Sequence, residues 1–285
     1  MTFTTRFAPS PTGPLHLGHA YSALLAHDMA RARGGRFLLR IDDLDQSRAR
    51  PEWEAQILDD LTWLGLRWDG PVRRQSDCLE DYRAALARLW EMGLCFACRC
   101  TRRDIAEAAS APQEGAAGGR PEFGPDGRIY PGTCRGRGLA ADGDSTCTRL
   151  DIAAAAARAL PAQFTETGPD HAGRHALDRD RLIAEVGDVV LARRGMGAAY
   201  HLAVVIDDAA SGVSHVIRGA DLFEATQIHV LLQALLGLKQ PEYHHHALIR
   251  DAAGKRLAKR DDARAIARYR ADGASPEDIR RMVGL

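Results

Sequence analysis

Apolar and polar positions follow two alternating rhythms along the first hundred residues. Thr2–Arg6 has the character of a short strand and Arg36–Ile41 (RFLLRI) that of a buried one. Between them, His19–Arg33 repeats apolar residues at helical spacing, with Leu24, Leu25, Ala26 and Met29 on one face. Pro51 suits the first turn of a second helix that carries Trp53, Ile57, Leu61 and Leu64 on one side, and a third helix is predicted at about Leu79–Met92. Strands alternating with helices predict an α/β fold, a doubly wound parallel sheet. Farther on, Glu107–Arg128 is rich in Ala, Gly and Pro without sustained periodicity and is expected to be an exposed insertion. Ala153–Ala159 favours helix by propensity alone. Leu202–Ile206 reads as a strand starting near Tyr200, and Val213–Ile217 as another ordered apolar segment. A long amphipathic segment, Leu222–Leu238, precedes a strand at about His244–Ile249, a charged loop and two short helices to Leu285.

Composition narrows the function classes. The 285 residues are 45% hydrophobic and 27% charged, which excludes a mostly disordered chain. Lys and Arg number 38, as do Asp and Glu, so binding of nucleic acid by bulk positive charge is excluded and only local basic patches remain available. No apolar run approaches the ~20 residues of a bilayer span, and the start MTFTTRFAPS lacks a signal-peptide core, so no membrane partner is expected. The six cysteines, at 78, 95, 98, 100, 134 and 147, are therefore expected to be cytoplasmic thiols rather than a disulfide framework. The tight pair Cys98-Arg-Cys100 points to a metal.

The segment Arg6-Phe-Ala-Pro-Ser-Pro-Thr-Gly-Pro-Leu-His-Leu-Gly-His19 is the richest in chemistry. A strand leads through a turn stiffened by three prolines into a histidine-bearing helix entry. Free N–H groups at a helix start and the helix dipole suit a phosphate. Gly18 allows a base or ribose to approach the backbone, and His16 and His19, three apart, share a face from which to bond phosphate oxygens.

This string resembles the HIGH signature of class I aminoacyl-tRNA synthetases, in detail that of the glutamyl branch. Arg40-Ile-Asp-Asp-Leu-Asp45 resembles the branch's R-I-E-D-x-D, and Arg218-Gly-Ala-Asp221 its R-G-x-D. Gly254-Lys-Arg-Leu-Ala-Lys-Arg260 resembles the KMSKS loop, with Lys259 on the second lysine. Only 25 residues follow Arg260, too few for the helical anticodon-reading domains of a full glutamyl-tRNA synthetase. The chain thus resembles truncated paralogues of that enzyme, which activate glutamate and place it on queuosine, the modified wobble base of tRNA(Asp). Cys98-x-Cys100, Tyr130-Pro-Gly-Thr-Cys134, Tyr200-His-Leu-Ala-Val-Val-Ile-Asp-Asp208 and Ser214-His-Val-Ile-Arg-Gly-Ala-Asp221 carry that likeness.

The resemblance implies a Rossmann-like catalytic domain in two halves, 1–97 and 191–260. Between them lies an acceptor-binding-like, zinc-bearing insertion at 98–190, and short C-terminal helices at 261–285 follow. It implies a monomer that uses ATP with Mg, L-glutamate and queuosine-bearing tRNA(Asp). His16, Gly18, His19 and Lys259 would bind ATP, with His16, His19 and Lys259 acting in catalysis. Arg6, Phe7, Ala8, Pro9, Ser10, Asp42, Tyr200 and Arg218 would line the glutamate pocket, Asp42 facing the ammonium and Arg218 able to pair with a carboxylate. Three departures stand out: Asp42 where the branch has Glu, Arg256 where it has Lys, and Ala258 where it has Ser. Arg40 and Asp43 can also form an ordinary ion pair, and Ser10 can merely cap the turn.

Cys98, Cys100 and Cys134, with Tyr130 as the fourth ligand in the resembling subfamily, suit tetrahedral zinc that pins the insertion. Cys78, Cys95 and Cys147 are expected to stay outside it, and His244-His-His246 to be split between the faces of a strand. Arg99, Arg102 and Arg103, Arg193 and Arg194, and Arg264–Arg281 are candidate RNA contacts. Two other readings remain open at this stage: a compact synthetase that charges a tRNA 3′ end, and a non-catalytic RNA-binding paralogue.

Overall fold

A computed structural model describes residues 2–110, 121–143, 145–249 and 264–285. The first half runs β1 (Thr4–Phe7), α1 (Leu17–Ala32), β2 (Arg36–Ile41), α2 (Pro51–Trp63), β3 (Arg73–Arg74) and α3 (Leu79–Glu91). The middle of the chain holds β4 (Cys95–Cys98), α4 (Arg102–Ser110), a small hairpin of β5 (Phe123–Gly124) and β6 (Gly127–Arg128), β7 (Cys147–Leu150), α5 (Ile152–Ala159), β8 (Gln163–Glu166) and β9 (Gly173–Ala176). A short turn of helix, α6 (Arg179–Arg181), widens into a π-turn at Leu182–Val186, and β10 (Val190–Ala192) follows. The last part contains α7 (Tyr200–Ala210), β11 (His215–Gly219), α8 (Thr226–Leu236), β12 (Glu242–His246), α9 (Ile266–Ala271) and α10 (Pro276–Val283).

β1, β2 and β3 are parallel, as are β11, β12 and β8, while β9 adds an antiparallel edge. The two parallel sets meet where Ser214 N–H donates to the Thr4 carbonyl (2.9 Å) and Thr4 N–H to Ser214 Oγ (2.8 Å), so β11 runs beside β1. Sequential strands on either side of that junction reverse direction of travel across the sheet, which leaves a crevice at the strand C-termini. β4, β7 and β10 form a separate antiparallel sheet.

Most predicted elements are present, with two differences. Leu202–Ile206 is helical, inside α7, so Tyr200 starts a helix and not a strand. α7 is wedged against α3 and α8 and buries Leu202, Ala203, Val204 and Val205. A helix buried on all sides loses the 3.6-residue polar rhythm, and its β-branched run then looks extended. For the same reason Leu222–Leu238 is not amphipathic: α8 spans only Thr226–Leu236, and its residues are almost all buried. Among the described residues no helix is long and apolar enough to cross a membrane.

The C-terminal helices close on the start of the chain. Ile266 N–H donates to the Leu15 carbonyl (2.8 Å), Ala265 bridges to His16, and Arg280 pairs with Asp28 of α1 (2.6 Å). Ile266, Ile279 and Val283 join Leu17, Ala20 and Leu24 in one apolar core.

One core position is anomalous. Asp60 of α2 is 1% exposed, lies beside Ile57 and Leu61, and its carboxylate oxygens have no hydrogen-bond partner among the described residues. Burial, aided by Asp59 and opposed by Arg270, lifts its pKa to about 6. A folded-state pKa raised above the unfolded value costs stability as pH climbs from about 4 through about 6, and the penalty persists above that. Asp60→Asn should therefore stabilise the protein by about 2 kcal/mol at pH 8 and by almost nothing at pH 4, measured by urea unfolding. An equal effect at both pH values would show that ionisation is not the cause.

Candidate active site

The crevice is a cleft of about 470 Å3 between α1 and the ends of β1, β2 and β11. Arg6, Phe7, Ala8, Ser10, His16, Gly18, His19, Asp42, Tyr200 and Arg218 all line it. Pro9 is buried behind the wall, where its carbonyl accepts the Asp42 N–H (3.0 Å) and ties the acidic loop to the proline turn. Lys259, with Arg256 and Ala258, lies outside the described residues.

His16 is not simply on a helical face with His19. It is the N-cap of α1: its Nδ1 accepts from Gly18 N–H (3.1 Å), while its own N–H donates to His19 Nδ1 (3.2 Å). The rings stack at 3.8 Å. Because both Nδ1 atoms accept, each neutral ring carries its proton on Nε2. The turn thus satisfies orphan helix donors with imidazoles and presents Nε2–H donors on the rings that line the cleft.

Beneath the cleft lies a buried ionic layer. Asp208 accepts from Arg6 (2.9 and 3.2 Å) and from Arg40 (2.6 Å), and Asp42 accepts from Arg40 (2.6 and 3.3 Å). Asp207 accepts from Arg73 (2.8 Å), Gln75 (2.9 Å) and the Tyr82 hydroxyl (2.8 Å). Burial would raise the Asp208 carboxyl, but Arg6 and Arg40 outweigh it and hold the group below its ordinary value. Burial prevails at Asp42, which is raised despite Arg40. Arg40 therefore pairs with Asp42 and Asp208, not with Asp43, whose carboxylate accepts from Ser76 N–H (2.8 Å) and Oγ (2.6 Å). The intervening geometry is long-range and invisible to local spacing.

Arg218 has a different environment. Its Nε donates to His245 Nε2 (3.0 Å), its Nη1 to His229 Nδ1 (3.1 Å), and its Nη2 to Thr226 Oγ1 (2.8 Å) and the Leu222 carbonyl (3.2 Å). None of these partners is a carboxylate. His245 in turn bonds Glu166 (2.5 Å), whose pKa is about 2 because hydrogen bonds from His245 and Gly168 overcome burial. The histidine triplet does divide: His244 bonds Thr167, His245 holds Arg218, and His246 bonds Ser22 Oγ (2.8 Å) on the cleft wall. His246 is a cleft residue that strand alternation alone does not single out.

In the middle of the chain Cys98, Cys100 and Cys134 bring their sulfurs within 4.8 Å of one another. The Tyr130 hydroxyl lies 3.4 Å from Cys98 Sγ and 3.5 Å from Cys100 Sγ, and it accepts the Cys134 N–H (2.7 Å). Three thiols and a phenol converging on one point form a donor set that fits a tetrahedral thiophilic ion. Cys147 donates to the Cys98 carbonyl (3.4 Å), a supporting contact its remote sequence position concealed. Cys78 and Cys95 lie elsewhere. Beside this cluster, Arg102, Arg128, Arg149, Arg193 and Arg194 line a second, broader cleft of about 990 Å3.

Comparison with known proteins places this geometry. A family profile described as tRNA synthetases class I (E and Q), catalytic domain, matches residues 2–124 and 172–285. Glutamyl-Q tRNA(Asp) synthetase of Rhodobacter capsulatus is 64% identical over 99% of both chains, and that of Nocardia farcinica is 47% identical over 96% of this chain and 81% of its own length. A glutamate tRNA ligase from Elizabethkingia meningosepticum, solved in complex with its amino acid, superposes with a TM-score of 0.75 at 26% identity. All of this chain aligns, and it spans 61% of that ligase. With its parallel sheet, histidine-capped turn and arginine-lined crevice, this chain belongs to the class I tRNA synthetases of the E and Q family, among the glutamyl-Q tRNA(Asp) synthetases.

Proposed function

We propose that the enzyme activates L-glutamate with ATP to glutamyl-AMP and transfers the glutamyl group to queuosine in tRNA(Asp). The observation that carries this is a single cleft with a phosphate-suited histidine turn at one end and Arg218, held by imidazoles rather than carboxylates, at the other. An arginine in that state keeps its charge for an incoming carboxylate.

The α-carboxylate of glutamate attacks the α-phosphorus of ATP, and pyrophosphate leaves. No covalent bond to the protein is needed, so the site works by positioning and by stabilising charge on the phosphates. The Nε2–H groups of His16 and His19 donate to phosphate oxygens, and the backbone at Gly18 lies against the nucleotide. Lys259 would neutralise the departing pyrophosphate. Mg bound to ATP would shield the phosphate charge. Arg6, Phe7, Ala8 and Ser10 shape the glutamate pocket, and Pro9 supports it through the Asp42 loop. Tyr200 and Arg218 complete it, and Asp42, already shared with Arg40, faces the ammonium. Cys98, Cys100, Cys134 and Tyr130 would hold a structural zinc whose chemistry is that of a crosslink. The arginine cleft beside them supports an RNA-docking role for that face.

The deciding experiment is glutamate incorporation into tRNA(Asp) with and without queuosine: labelling should require it. Queuosine-independent labelling lost on blocking the terminal ribose would instead identify a 3′-end charging enzyme, and absence of glutamate-dependent pyrophosphate exchange a non-catalytic paralogue. His16→Ala should slow adenylate formation by about tenfold or more while leaving the circular dichroism spectrum unchanged. Metal analysis should give one zinc per chain, lost in Cys98→Ser and Cys134→Ser and kept in Cys95→Ser.

A further inference from the structure

The hydrogen bonds behind Arg218 do not end at its first neighbours. His229 Nε2 lies 3.1 Å from His201 Nδ1, and His201 Nε2 lies 3.2 Å from Asp126 Oδ1, in the turn between β5 and β6. A guanidinium only donates, so His229 Nδ1 must accept. That puts the His229 proton on Nε2, makes His201 Nδ1 an acceptor, and leaves His201 Nε2–H to donate to the Asp126 carboxylate. Every proton in the chain has one position, and it runs in one direction from guanidinium to carboxylate. Glu166 does the same for His245 across one imidazole.

The carboxylate end is firmly seated. Gly124, two residues before Asp126, comes so close to the Glu185 carbonyl that a Cβ there would lie 2.2 Å from the oxygen. Asp126 Oδ2 also accepts from Val190 N–H (3.4 Å). His201 and His229 are 4% and 2% exposed, so water does not compete at the imidazoles, while the Asp126 side chain at the far end is 29% exposed.

We infer that Asp126 and His201 are positioning residues for Arg218: the insertion hairpin fixes the His229 tautomer and thereby the orientation of the guanidinium that receives the glutamate carboxylate. This rests on the proposed role of Arg218 in binding glutamate. Placing the balancing carboxylates one or two imidazoles away holds Arg218 still without neutralising it by direct contact.

The test is the KM of the intact enzyme for glutamate and for ATP in pyrophosphate exchange, together with 15N NMR of its histidines. Asp126→Ala should raise the glutamate KM by about five- to tenfold and leave kcat and the ATP KM within about twofold. Asp126→Asn, whose amide oxygen still accepts from His201, should restore the glutamate KM. Asp126→Ala combined with His201→Ala should be no worse than His201→Ala alone. An unchanged glutamate KM in Asp126→Ala, a parallel change in both KM values, or no rescue by Asn would overturn the relay, as would an Nδ1–H tautomer at His201 or His229. Arg218→Ala is the separate control. If it leaves the glutamate KM unaltered, the glutamate assignment of Arg218 fails, and the tautomers alone then decide whether the relay exists.

Discussion

Arg218→Ala is expected to lower kcat/KM for glutamate in pyrophosphate exchange by more than about a hundredfold, with the ATP KM nearly unchanged. The guanidinium supplies charge-assisted hydrogen bonds in a buried setting, where each is worth roughly 1.5–3 kcal/mol. Its loss strands two imidazoles, His245 paired with Glu166 and His229 paired with His201, and neither supplies the fixed positive charge that Arg218 holds. Arg218→Lys should recover only part of the loss, because an ammonium cannot reach His229, His245 and Thr226 together with the ligand. Near wild-type rates in Arg218→Ala would place the glutamate carboxylate elsewhere.

Asp208→Ala should damage the fold itself. Two guanidiniums, Arg6 and Arg40, converge on this carboxylate, and all three side chains are under 10% exposed. Removing one partner of a buried ionic cluster costs about 3–5 kcal/mol, because the remaining charges stay desolvated. For a protein of this size that lowers the thermal midpoint by on the order of 10 °C. Asp208→Asn keeps acceptor geometry on one side and should be milder, though still destabilised at pH 7. The Asp208 pKa is depressed in the folded state, so its contribution is present above the unfolded value and fades as pH falls. The gap between wild type and Asp208→Asn should accordingly narrow below about pH 4. A constant gap from pH 7 to pH 3 would remove the electrostatic explanation.

The parts of this site that sequence made legible share one property: their partners are close in the chain. His16, Gly18 and His19 act within one helical turn, and Cys98 and Cys100 sit together, so fixed spacing encodes the geometry. What escaped detection depends on distant elements. Asp208 ends a motif string, yet its partners Arg6 and Arg40 are on β1 and β2. Glu166 lies in a stretch without any motif and reaches His245 only because β8 pairs with β12. Leu202–Ile206 looks extended in sequence because burial of α7 erases its polar rhythm. Sequence spacing leaves an Arg40–Asp43 ion pair open, whereas in the fold the guanidinium meets Asp42 and Asp208.

The clasp between Leu15 and Ile266 joins segments far apart in the chain directly at the histidine-capped turn. Segment 264–285 thus behaves as a brace on α1 and on its N-cap His16, one of the two imidazoles proposed to meet a triphosphate. Trimming that brace would loosen grip on ATP before amino-acid choice suffers, since the Arg218 end of the crevice is anchored by the opposite side of the sheet.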